Sequence, residues 1–130
     1  VKTYHSSIAS LMKEKKISFL DAEREVFGID HQQLGSIVAK RWRFPPEVVA
    51  GIGYHHCPRG AREHREIASL VYVVDRLVSA VGIGSGVDAF FQFNEDEVFS
   101  ELGIDSRMID KYLVQLMEIL QEIKQFLTIH

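Results

Sequence analysis

From residue 109 to residue 127 the large aliphatic side chains fall at steps of four and three: Ile109, Leu113, Leu116, Leu120, Ile123 and Leu127. Only an α-helix brings that spacing onto one side, so the stretch predicts a long amphipathic helix, with Asp105 as its cap. Similar helical spacing governs most of the chain. Ile8, Leu11 and Met12 give the first segment an apolar face. Lys15 and Lys16 close it, where cations meet the negative end of the helix dipole. Ser18 is placed to cap a second helix, with Asp21 in its first turn and Gly28 as its stop. Asp30, three residues before Gln33, has the pattern of a capping box and opens a third helix, on which His31, Leu34, Gly35, Val38 and Trp42 share a face. Pro45 and Pro46 end that helix and suit the first turn of the next, where Val48, Val49 and Ile52 lead to His55 and His56. Pro58 and Gly60 break the chain.

Residues 66–81, "EIASLVYVVDRLVSAV", are apolar nearly all round between Ile67 and Val74, which predicts a buried central helix. The glycines at 82, 84 and 86 follow a helix rather than a strand, so they predict a flexible turn and not a phosphate cradle. "DAFFQF" after them has no clear period, and Asn94 is placed to cap a short helix ending at Gly103. No hairpin signal and no repeat is visible. The expectation is an all-α fold: one compact multi-helix bundle over residues 1–130, with a long C-terminal amphipathic helix.

A length of 130 residues suffices for one core, and 46% hydrophobic with 25% charged residues suits a globular domain. The formal charge of −3 gives no electrostatic case for nucleic acid or an anionic membrane. Two basic clusters, at Lys13, Lys15 and Lys16 and at Lys40, Arg41 and Arg43, are balanced by acids elsewhere and read as solvated helix ends. The single cysteine, Cys57, cannot form an internal disulfide, which points to the cytoplasm. No apolar run reaches membrane-spanning length. The chain starts without methionine, so part of a longer protein, or a processed product, is expected.

The residues able to carry chemistry are few. Asp75 sits among apolar neighbours, where a lone carboxylate would cost several kcal/mol, so a partner from another helix is expected. His31 opens one helix, and His55 and His56 end another. Each alone reads as a capping or packing residue. Adjacent His-His-Cys with no second cysteine excludes a structural zinc cluster. Together, however, His31, His55, His56 and Asp75 are imidazole and carboxylate groups on three successive helices. They are ligand types for divalent iron, manganese or zinc, and a helical bundle can converge them.

The stretch "EREVFGIDHQQLGSIVAKRWRFPPEVVAGIGYHHCP" resembles the signature of the HDOD family, a bacterial branch of the HD superfamily. It carries Glu23 or Glu25, then Phe27–Gly28, Asp30–His31, Gly35, Trp42 with Pro45, and His55–His56 with Pro58. Asp75 and the glycines after it continue the likeness, which spans about residues 18–86, with a helical extension over 95–129. The resemblance implies a helical module of bacterial signalling proteins, a non-catalytic relative of the HD phosphohydrolases, and the C-terminal part of a whole domain. The departures from the enzymes are specific. No His-Asp dipeptide occurs, Asp30–His31 has the reverse order, and Cys57 follows the histidine pair where cyclic-diguanylate phosphodiesterases carry glutamate. Three histidines and one aspartate are too few for a two-metal site.

The expectation is therefore a regulatory module with no catalytic residue and no required cofactor, acting on a protein partner or adjacent signalling domain. The seam of the last helix is expected to pack on the domain; if the upstream half of the domain is absent, a homodimer is expected through the apolar surface left bare or through this helix. The alternative is a metal-dependent phosphohydrolase on a nucleotide or cyclic dinucleotide, holding its ion with His31, His55, His56 and Asp75.

Overall fold

A computed structural model of the protein describes residues 2–82 and 96–128. Every regular element among them is helical: α1 (Lys2–Lys15), α2 (Phe19–Phe27), α3 (His31–Arg41), α4 (Pro46–Tyr54), α5 (Arg65–Gly82), α6 (Glu97–Glu101) and α7 (Ser106–Thr128), with a 3₁₀ turn at Pro58–Gly60. The all-α fold and the long last helix are as the spacing predicts. Residues 84 and 86 of the glycine turn, "DAFFQF" and Asn94 lie outside the described residues.

The helix boundaries follow from their caps. The Ser18 hydroxyl accepts from the Asp21 N–H at 3.1 Å, the Asp30 carboxylate from the Gln33 N–H at 2.9 Å, and Asp105 from the Met108 N–H at 2.9 Å. Each satisfies a donor that a helix start leaves without an intrahelical partner. Asp96 caps α6 through the Val98 N–H, and its other oxygen accepts from the Tyr72 hydroxyl at 2.6 Å, tying α5 to α6. Burial and that carboxylate push the Tyr72 phenol up to about 12. α3 ends in a Schellman turn, with the Arg43 N–H on Lys40 and the Phe44 N–H on Ala39, both at 3.0 Å. That turn needs a left-handed residue, and Arg43 adopts φ 59° where glycine is usual.

The core gathers where α5, α6 and α7 meet: Val73, Leu77, Val98, Phe99, Ile109 and Leu113, with Tyr72, Leu102, Ile104 and Leu116 against it. Two expectations about burial are corrected here. α5 is amphipathic rather than buried all round. Ala68, Ser69, Val73 and Leu77 are covered, while Val71, Val74 and Val78 face outward. On α3, Leu34 and Trp42 are exposed, and the packed face is Gln32, Gly35 and Ala39.

Small residues explain the second correction. α3 and α4 approach so closely that a Cβ on Gly35 would stand 2.7 Å from the Ile52 Cγ2, and one on Gly53 would stand 3.2 Å from the Ser36 Cβ. Side chains as large as leucine or tryptophan have no room on that face. The close pair sets α3's first residue beside the residues that follow α4.

Candidate metal centre

The short α2–α3 connection places His31 at the start of α3, and the α3–α4 packing places it against the end of α4. The three histidines meet there. The His31 Nε2 lies 3.1 Å from the His55 Nε2 and 3.0 Å from the His56 Nε2. One nitrogen from each ring falls within a group spanning less than 4.8 Å.

Their other nitrogens are oriented from outside. The His31 Nδ1 donates to the Glu23 carboxylate at 2.6 Å, and the same oxygen accepts the His31 backbone N–H at 3.0 Å. The His55 Nδ1 donates to the Ile52 carbonyl at 2.8 Å. Carboxylate and carbonyl oxygens only accept, so both rings carry their proton on Nδ1. In the neutral rings the lone pairs of Nε2 then point at one another. The His56 Nδ1 faces Asp75 at 3.9 Å, and its backbone N–H donates to the Gln32 side-chain oxygen at 2.8 Å. Burial, and then the neighbouring imidazoles of His55 and His31, hold His56 below the ordinary histidine range despite Asp75 and Glu23. A neutral ring is the form that binds a metal.

This donor set fits a divalent ion. Imidazole nitrogens about 2.0–2.1 Å from one centre, spread between right-angled and tetrahedral, stand about 2.8–3.4 Å apart. The two measured separations fall in that range. Glu23 is 11% exposed at its side chain and occupies the place where a carboxylate orients a ligating histidine. The Phe19 ring stands 6.0 Å from that of His31 and covers one side.

Of the four residues singled out in the sequence, His31, His55 and His56 come together. Asp75 does not join the converging nitrogens. It stands behind His56 with a half-exposed side chain, so the buried, partner-seeking carboxylate expected at this position is instead partly solvated and loosely faced by His56. The choice between Glu23 and Glu25 resolves to Glu23, because Glu25 pairs with Lys15 at the surface. Gln32 and the Ile52 carbonyl went unnoticed in the sequence. A buried glutamine beside His31 is a weak signal, and a backbone carbonyl gives none.

No curated protein and no solved structure matches the chain. The family comparison does match, over residues 1–58, a stretch that begins earlier than the resemblance read from the motifs and ends at Pro58. It takes in Glu23, Gln32 and all three histidines and leaves out Asp75. Residues 1–58, which build the histidine cluster, match the family model of the HDOD domain.

Proposed function

We propose that this chain is a non-catalytic regulatory module whose three histidines hold one divalent transition ion, and which acts on a protein partner or an adjacent signalling domain. The convergence of three Nε2 atoms at 3.0–3.1 Å carries the reading. Lone pairs that close repel unless a cation or a shared proton lies between them. An all-imidazole set suits zinc or iron better than manganese, which prefers carboxylates. The ion, when bound, supplies a crosslink between the start of α3 and the end of α4. Glu23 and the Ile52 carbonyl fix the ring orientations, and Gln32 fixes the backbone at His56. The charge of −3 supports a protein rather than a nucleic-acid partner, and the lone Cys57 supports a cytoplasmic setting. Among the described residues no helix is long and apolar enough to cross a membrane.

A second reading, metal-dependent hydrolysis of a phosphoester, has one observation in its favour. Three imidazoles leave a position open on a four-coordinate ion, where water can be polarised. Against it, Glu23 is committed to His31, and Asp75 faces the back of His56, so among the described residues no free carboxylate stands at the cluster as a base.

Mass spectrometry for metals on untagged protein tests both. Near-stoichiometric zinc or iron is expected, lost in His55→Ala and weakened about 10- to 100-fold in Glu23→Gln. A wild type that is empty and gains no thermal stability from added Zn²⁺ or Fe²⁺ would overturn the metal site. Turnover of bis-p-nitrophenyl phosphate by loaded protein, abolished in His55→Ala, would replace the regulatory reading with the hydrolytic one.

A further inference from the structure

A second concave site runs along the α3–α4 pair, from Lys40 and Pro46 to Tyr54 at the end of α4. Its volume is about 520 Å³, and its walls come from the end of α3, from α4 and from residues 60–64. An adjoining hollow of about 300 Å³ shares Lys40, Val49, Tyr54 and Gly60 with it and runs on to Gln32. Such volumes suit a small organic molecule.

The lining has a definite chemistry. Phe44 and Tyr54 offer flat apolar surface, and Lys40 and Arg62 reach it from segments 22 residues apart in sequence. Neither cation has a carboxylate partner among the described residues. Arg59 and Arg65, on either side of Arg62, both close on Glu101. Among the described residues Glu63 is the only acid on the larger wall, so the two cations outnumber it, and His64 lies beside it. The backbone is also unusual here. Arg43, next to Phe44, and His64 both take left-handed conformations, at φ 59° and φ 56°. Non-glycine residues seldom do so, and strain of this kind gathers at binding sites.

We infer that this groove binds a small flat ring carrying an anionic group, the ring lying against Phe44 and Tyr54 and the anion between Lys40 and Arg62. Glu63 then accepts from an N–H or O–H on the ring. Phosphate and carboxylate are equally served by the two cations, and the choice between them is left to experiment.

The test is a set of ¹H–¹⁵N NMR titrations of the whole chain, with EDTA present so that the outcome does not depend on the metal proposal. The probes are AMP, 2-naphthoate, adenosine and inorganic phosphate. AMP or 2-naphthoate should move amides of residues 40–64 saturably, with adenosine and phosphate each at least about tenfold weaker. Lys40→Gln and Arg62→Gln should each weaken the better probe about tenfold. Both side chains are exposed, so the variants should keep the wild-type spectrum elsewhere. The inference is overturned if neither ring anion saturates. It is equally overturned if the shifts map to other helices, or if the double variant binds as wild type does.

Discussion

Arg43 and Asp30 are two single residues with opposite energetic signs. Arg43 holds a left-handed conformation that glycine adopts without cost, so Arg43→Gly should raise stability by about 1 kcal/mol in urea denaturation. Asp30 is fully buried, caps α3 through Gln33, and accepts from the Arg24 Nε at 2.7 Å. Burial alone would raise its pKa. The Gln33 N–H and Arg24 outweigh burial and hold the carboxyl below the usual range. A carboxyl lowered in the native state stabilises the fold fully above its unfolded value of about 4 and loses that contribution as pH falls through the native value. Urea midpoints measured from pH 6 down to pH 3 should therefore fall more steeply for wild type than for Asp30→Asn, which keeps a cap but not the charge. The caps at Ser18, Asp30 and Asp105 were legible in the sequence because a cap acts within three residues of itself. Gln32 was not, and Glu23 stayed open against Glu25, since each acts on a histidine brought near by the turn between helices or by helix packing.

At the scale of elements, the spacing of apolar residues located the helices but overstated what covers them. Periodicity reports which residues share a face; it does not report how far a neighbouring helix extends along that face. In α5 only the sides toward α4, α6 and α7 are covered, so a nearly all-apolar sequence still presents Val74, 57% exposed, to the outside. α7 is about 34 Å long. It buries Ile109 and Leu113 in the core, whereas Ile123 and Leu127 stand exposed at 48% and 69%. Leu113→Ala should cost about 3 kcal/mol by denaturation, and Leu127→Ala less than about 0.5 kcal/mol in dilute protein. The uncovered end of the seam is the surface we propose for self-association. Sedimentation at high concentration should give a dimer, returned to monomer by Ile123→Glu; a wild type that stays monomeric at every concentration would remove this proposal.

Across the whole molecule, the position of the histidine cluster depends on a contact that none of the histidines makes. Gly35 lets α3 meet α4 at the Ile52 methyl, where any side chain would press the helices apart. Gly35→Ala gains about 1 kcal/mol of helix propensity and incurs overpacking of about 1–3 kcal/mol. The expected net loss is about 1 kcal/mol, with a much larger proportional loss of bound metal, read by denaturation and by metal analysis of the same sample. The sequence could not announce this, because Gly35 is separated from Ile52 by a turn of two prolines and a left-handed arginine whose geometry sets the register.

The two glycine contacts also make the α3–α4 pair a seesaw. Gly35 and Gly53 form its pivot, the histidines sit at one end, and Lys40 with Val49 sits at the other. With two stiff helices resting on a shared pivot, a wedge that spreads one end draws the other together. A molecule held between Lys40 and Val49 would tighten His31 onto His55, and an ion drawn between those histidines would open the far groove. The two sites would then read each other's occupancy through the tilt of the pair.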